Sequence, residues 1–134
     1  MAAGSHDIYI EQGATYELQI TCGSLGAIVG GNPTIGTPKD FTGCSAAMQI
    51  RERIDGPVLV ELVTDDIYPP GRTEGDGLTL GGADGTINVL ISWDKTAAIA
   101  VKKGVYDIFV YYPDETVYRP LKGNVSIDFR VTKD

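Results

Sequence analysis

The alternation of apolar and polar residues in short runs constrains this chain more than any other feature. Apolar and polar side chains alternate along 14–22, 44–54 and 125–131. Successive side chains of a β-strand point to opposite faces, so a period of two predicts strands with one face in a core and the other against water or a partner. The 17 glycines and 7 prolines separate these runs, as tight turns between short strands require.

Further segments also have strand character. They are 7–10, 58–63, 78–80, 86–92, 105–112 and 117–121. One segment, 93–103, has helical spacing instead, with Ser92 placed to cap its start and Gly104 to end it. Together these elements predict an all-β fold. We expect an immunoglobulin-like antiparallel β-sandwich of about eight strands, in which the one short helix is a crossover between strands.

Length and charge limit the number of domains and the class of partner. A chain of 134 residues supports one core, so we predict a single β-sandwich domain over 7–132, after a flexible N-terminal segment 1–6 and with long loops at 23–38 and 64–77. The net charge of −7 argues against a nucleic-acid partner, because phosphates are bound by basic residues. No apolar run reaches the ~18 residues of a membrane span, and no signal-peptide pattern opens the chain, so we expect no membrane partner.

Candidate catalytic and metal-binding residues are few. His6 is the only histidine and lies close to the N-terminus, so a catalytic triad would depend on one terminal residue. The acidic residues of 64–77 lack the spacing of a calcium loop. The glycine-rich runs 30–36 and 81–85 match no phosphate-binding loop. We therefore expect no catalytic, cofactor or metal site, and a protein that is not an enzyme.

Two cysteines fall on the predicted inward faces. Cys22 ends one predicted strand and Cys44 begins another. If these strands are neighbours, the thiols can form a disulfide, which is worth about 3 kcal/mol in the chain-entropy model. Otherwise they are buried free thiols that pack as small hydrophobic side chains. The sequence leaves both alternatives open, and a disulfide between two subunits is a third.

Two groups of apolar residues lie where a partner could cover them. Phe109 and Tyr111 alternate onto the side of their strand opposite the predicted core, so this face is either covered or exposes aromatic rings. Three more apolar residues lie in the glycine-rich segment 23–38, where side chains of this kind favour burial. We predict interface roles for Ile28, Val29, Ile35, Phe109 and Tyr111.

The order of these motifs resembles that of a group of tailed-bacteriophage virion proteins with a small β-sandwich, which also occurs as the N-terminal domain of some baseplate and tail-fibre proteins. The matching segments are DIYIEQGATYELQIT, DFTGCSAAMQIRE, GLTLGGADGTINVLISWDKTAAI and GVYDIFVYYPDETVYRPLKGNVSI, which lie within 7–130. The chain departs from the group in its long segment 23–38 and in Cys44, where an aromatic residue is usual.

The resemblance implies a non-enzymatic structural component of a tailed-phage particle: a tail, baseplate, neck or collar, or fibre-adaptor protein that acts by subunit docking. Its implied partners are other virion proteins and further copies of itself. Its implied location is the virion, assembled in the host cytoplasm. A head decoration or cement protein, and a module that binds host glycans through tyrosines, are the alternatives.

Overall fold

The alternating runs form strands at nearly the predicted positions in a computed structural model, which describes residues 4–24, 26–29, 37–64 and 77–132. The strands within these residues are β1 (Gly4–Ser5), β2 (Ile8–Glu11), β3 (Tyr16–Gly23), β4 (Gly26–Val29), β5 (Ser45–Arg51), β6 (Val58–Val63), β7 (Gly77–Leu80), β8 (Thr86–Ile91), β9 (Lys103–Tyr111) and β10 (Val117–Asp128). They form a six-stranded and a four-stranded sheet, and the predicted all-β class is confirmed.

The six-stranded sheet has the order β1-β10-β9-β5-β6, with β2 also paired to β10. β1 and β2 run parallel to β10, and the remaining neighbours are antiparallel. The backbone N–H of His6 donates to the carbonyl of Lys122 at 3.0 Å, between the two parallel pairings. Residues 4–6 of the segment that we predicted to be flexible thus lie against β10 in the sheet.

The four-stranded sheet has the order β4-β3-β8-β7 and is antiparallel throughout. Side chains from both sheets form one buried cluster, in which Ile20, Met48 and Ile108 are at most 1% exposed. Phe41, which precedes β5, is buried in the same cluster. Burying an aliphatic or aromatic side chain of this size stabilises a fold by roughly 1.5–3 kcal/mol, so the inward face of each strand fixes its register.

The predicted helix is much shorter than its sequence pattern. Helix α1 (Trp93–Ala97) follows Ser92 as predicted but ends well before Gly104, which is buried within β9. A 3-10 turn, Gly82–Asp84, lies between β7 and β8. α1 connects β8 in the four-stranded sheet to β9 in the six-stranded sheet. In the described part of the chain, no helix has the length and hydropathy that crossing a membrane requires.

Tertiary contacts end the helix early. The side-chain amide of Gln12 donates to the carbonyl of Ile99 at 2.8 Å, and Ile99 is 2% exposed. β9 then begins at Lys103, which pairs with Ser126 of β10. After α1, Ile99 is buried in the core and Lys103 pairs in the sheet. These contacts override a modest helix propensity.

The C-terminal part of the chain departs from prediction in two ways. The predicted strand 117–121 and the alternating run 125–131 form one strand, β10, and Pro120 is accommodated where the register with β9 shifts between Tyr118 and Leu121. A bulge tolerates proline because no ladder hydrogen bond is needed there. The strand ends at Asp128, so Phe129 and Val131 are exposed although they continue the alternation.

Candidate functional site: the outer face of the six-stranded sheet

One face of the six-stranded sheet packs on the core, and the opposite face is called the outer face below. Strand register arranges its side chains in rows that cross the sheet. The rows are Ser45–Tyr111–Val117, Val63–Ala47–Phe109, Glu61–Gln49–Asp107–Lys122 and Val58–Arg51–Val105–Asn124. Residues that share a row are direct cross-strand neighbours, so their side chains determine each other's surroundings.

Two aromatic rings stand on β9 in the middle of this face. Phe109 and Tyr111 lie two residues apart, with ring centroids separated by 6.4 Å and planes inclined by 17°. Tyr111 is 39% exposed, and its row neighbour Val117 is 52% exposed. The structure thus brings two of the predicted interface residues together as a stacked pair, called the aromatic ridge below.

Small side chains border the aromatic ridge along β5. Ser45 is paired with Tyr111 and Ala47 with Phe109. Directly opposed side chains in antiparallel strands start from Cβ atoms only about 4.5–5.5 Å apart. The large rings of β9 therefore stand beside a strip of low side-chain volume, called the small-residue channel below.

Charge is distributed unevenly across the outer face. Glu61 lies on β6 and accepts a hydrogen bond from the Gln49 side-chain amide at 2.6 Å. At the other side of the face, Lys122 and Arg119 lie on β10, and a nitrogen of Arg119 lies 3.6 Å from a carboxylate oxygen of Asp107. A partly exposed ion pair of this kind contributes only about 0–1 kcal/mol to stability. In the row that contains Glu61 and Lys122, the position on β6 is thus acidic and the position on β10 basic.

A groove of about 610 Å³ runs over this face beside the ridge, lined among others by Arg51, Asp107, Phe109 and Arg119. The Arg51 guanidinium is fixed, because it donates to the Gln49 side chain at 2.8 and 3.0 Å and to a backbone carbonyl of the β5–β6 turn at 2.7 Å. An aromatic and aliphatic centre within a charged margin is the composition of protein–protein interfaces.

The other predicted interface residues are not part of this face. Val29 lies in β4, which forms part of the predicted loop 23–38, and its side chain packs against the core. Ile28 lies in the same strand. The side chain of Ile28, the whole of Ile35 and most of the predicted loop 64–77 lie outside the residues that the structure describes.

The two cysteines are buried free thiols in the structure. Burial raises the pKa of Cys22 to about 12, although Lys39 lowers it in part. Burial also raises the pKa of Cys44, and the negative charges of Asp40 and Asp114 add to this increase. Because the thiolate is the reactive form, both groups are poor nucleophiles at neutral pH.

Tyrosines are divided between the core and the surface. Tyr112 and Tyr118 are partly buried and pack against the core, and burial raises the pKa of each. Tyr9 is 71% exposed and lines a second groove, of about 470 Å³, between β2, β10 and the start of β3. No group of three or more His, Cys, Asp or Glu residues within the described ranges is arranged to hold a metal ion.

Sequence reasoning identified the ridge but missed its surroundings. The outward positions of Asp107 and Lys122 follow from alternation alone. Their place in one row with Glu61 depends on which strands are neighbours and in what register. The same is true of the pairing of Ala47 with Phe109, because the two residues are far apart in the chain.

The chain matches no protein-family model, and no curated protein matches it at a significant level.

Proposed function

We propose that this chain is a non-enzymatic structural subunit of a tailed-phage particle, in the tail, baseplate, neck or collar or as a fibre adaptor, and that it acts by docking against other subunits. The observation that carries the docking role is the outer face, with its aromatic ridge between margins of opposite charge. Tyrosine, phenylalanine and arginine are enriched at interface centres. The resemblance of the sequence motifs supports the assignment to a phage particle.

The pattern of β9 distinguishes this face from an ordinary solvated one. A sheet face in water normally carries polar residues at its outward positions. On β9 the outward positions include Val105, Phe109 and Tyr111, and only Lys103 and Asp107 are charged. An apolar majority at the centre of a sheet face is typical of a surface that another surface covers.

The strand order supports the finer assignment to an immunoglobulin-like sandwich. In variable-type domains, strands G, F, C and C′ are neighbours in one sheet, and strands B, E and D are neighbours in the other. Assigning β3 as B, β5 as C, β6 as C′ and β7 to β10 as D to G reproduces both orders. In this assignment the proposed docking face belongs to the GFCC′ sheet, and β4 is an additional strand.

The test is incorporation into particles of the phage that encodes the chain. The wild-type chain is expected in purified particles at a fixed ratio to the other virion proteins. A variant with Phe109→Ala and Tyr111→Ala is expected to fold, because both side chains lie on the outer face, but to be depleted from particles by about tenfold or more. Trp93→Ala is the matched control, since Trp93 is an aromatic residue of α1 with 57% exposure.

Two outcomes would contradict the proposal: absence of the wild-type chain from purified particles, or full incorporation of the double variant. Electron micrographs of particles in which the chain is labelled would show its position. They would also distinguish the alternative of a head decoration.

Binding of a host glycan is a second candidate, favoured by the nearly parallel rings of Phe109 and Tyr111 beside the polar groups of Asp107 and Arg119. Flat aromatic surfaces next to hydrogen-bonding side chains suit sugar rings. Saturable binding on a glycan array that is lost with Tyr111→Ala would establish this role in place of protein docking.

A further inference from the structure

We infer that the outer face docks a second copy of this chain, with a two-fold axis in the interface that runs parallel to β5 and β9. This inference rests on the docking role proposed above and adds the partner and the geometry. In such a symmetric interface the same surface faces itself, so it must be self-complementary in shape and charge. Sheets that pack face to face keep their strands within about 30° of each other, which this axis allows.

The shape of the outer face is self-complementary about this axis. Rotation about an axis between β5 and β9 places β9 of one copy over β5 of the other and keeps each row at its own level. Phe109 then lies over Ala47 of the second copy, and Tyr111 lies over Ser45. The aromatic ridge of each copy thus enters the small-residue channel of the other, and both contacts occur twice.

The charges are complementary about the same axis. Rotation places β6 of one copy over β10 of the other, so that Glu61 faces Lys122. In the same row, the amide of Gln49 faces the carboxylate of Asp107. An axis perpendicular to the strands at this row would instead place β6 over β6 and bring the two Glu61 side chains together. Opposite charges fix the orientation of an interface, because juxtaposed like charges disfavour the other arrangements.

Glu61 and Lys122 of one chain are too far apart to account for such coupling within a monomer. β9 and β5 lie between their strands, so the residues are three strand spacings apart, or about 14 Å. Any strong energetic coupling between these two positions therefore reports contact between copies.

The experiment is a charge exchange measured by sedimentation or light scattering over a micromolar to sub-millimolar concentration series. The wild type is expected to be a dimer in equilibrium with monomer. Lys122→Glu and Glu61→Lys alone are each expected to weaken the dimer by about tenfold or more, because each places two repulsive pairs in the interface. The variant with both substitutions, and an equimolar mixture of the two single variants, are expected to regain dimerisation.

Matched controls carry the same charge changes elsewhere. Glu17→Lys lies on the four-stranded sheet and Lys102→Glu lies before β9, and neither is expected to alter the dimer. Circular dichroism melts confirm that each variant is folded. A second test places a bulky cation in the channel: Ala47→Arg is expected to abolish the dimer, whereas Asn88→Arg on β8 leaves it intact.

A monomeric wild type at all concentrations, or single variants that dimerise like the wild type, would overturn the inference. So would a double variant that stays as weak as the single ones. The docking role would survive these results if the Phe109 and Tyr111 variant were still depleted from particles. Conversely, the wild type could form the dimer while variants that lose the dimer are still incorporated into particles normally. That result would contradict the proposed function and not the second-copy geometry.

Discussion

The hydroxyl of Tyr106 donates a hydrogen bond of 2.6 Å to the carbonyl oxygen of His6, a residue 100 positions earlier in the chain. Tyr106 belongs to β9 and is 4% exposed, and its burial raises the pKa of the phenol above the ordinary value. This bond joins the N-terminal strand pair to the middle of the six-stranded sheet. It holds the chain between β1 and β2, where the N–H of His6 bonds to Lys122 and its carbonyl accepts the bond from Tyr106.

Removing this hydroxyl should therefore destabilise the fold. Tyr106→Phe leaves the carbonyl of His6 without its donor, which costs about 1–2 kcal/mol in the free energy of unfolding. Urea denaturation measures the change, and Tyr9→Phe, at a tyrosine with 71% exposure, is the control. Equal stability of the two variants would contradict the role of the bond.

Gly123 on β10 allows the backbone at His6 to lie close to this strand. A Cβ atom added at Gly123 would lie 2.1 Å from the carbonyl oxygen of His6, whereas one added at Gly4 would meet its nearest neighbour at 3.4 Å. Gly123→Ala is expected to displace the N-terminal strands and to cost about 2–4 kcal/mol, within the range for overpacked sites. Gly4→Ala should be nearly neutral. Hydrogen exchange of the amides in β2 checks this, and unchanged protection in Gly123→Ala would be inconsistent with the geometry.

Three aspartates form the same local turn at the connections before β5, β8 and β10. In each, the carboxylate accepts a hydrogen bond from the backbone N–H of the threonine two residues later, at 2.9–3.0 Å: Asp40 with Thr42, Asp84 with Thr86 and Asp114 with Thr116. Bonds from the threonine hydroxyl and N–H lower the pKa of each carboxyl. A folded-state pKa below the value of about 3.9 for an unfolded aspartate means that the contribution to stability is present above that pH.

Stability should accordingly fall as the pH is lowered from about 4 through the depressed folded-state pKa values. Asp84→Asn keeps an acceptor oxygen but removes the titration, so its unfolding free energy should fall less steeply over this range than that of the wild type. Glu17→Gln, at an exposed position of β3, serves as the control. Identical acid dependence of Asp84→Asn and the wild type would refute the assignment.

The thiols should be protected in the native state. With a pKa of about 12, Cys22 is a thiolate in only about one molecule in ten thousand at pH 8. In the Cys44→Ser variant, which retains Cys22 alone, alkylation should be slow in buffer and rapid in denaturant. The Cys22→Ser variant should react faster than Cys44→Ser, because Cys44 is 6% exposed whereas Cys22 is fully buried. Rapid native labelling of Cys22 would contradict its burial.

The alternation correctly predicted which side chains of the strands face the core. The buried face of a strand carries its apolar residues whichever strands lie beside it. Ile20, Met48 and Ile108 could be assigned inward from the sequence alone, as could the outward positions of Phe109 and Tyr111. The end of β10 could not, because Phe129 continues the pattern, whereas the pairing with β2 ends at Asp128. Strand ends depend on where partners stop, and alternation carries no information about partners.

The candidate site shows the same limit. Glu61 and Lys122 are ordinary exposed charges in the sequence, and their opposition across the sheet exists only once β9 and β5 lie between them. The early end of α1 is comparable, because the contact between Gln12 and Ile99 joins residues that no local pattern relates. Local sequence patterns predicted the strands and the helix. The order and register of the strands determined which side chains lie together on the outer face.

Docking through the outer face requires that this face is covered in the assembled state. Hydroxyl-radical footprinting, read residue by residue, tests it most directly by comparing dilute, isolated protein with the assembled form. We expect strong protection of Tyr111 and Phe109 on assembly, with Trp93 of α1 oxidised at the same rate in both states. Unchanged oxidation of Tyr111 and Phe109 in the assembled form would show that this face does not dock.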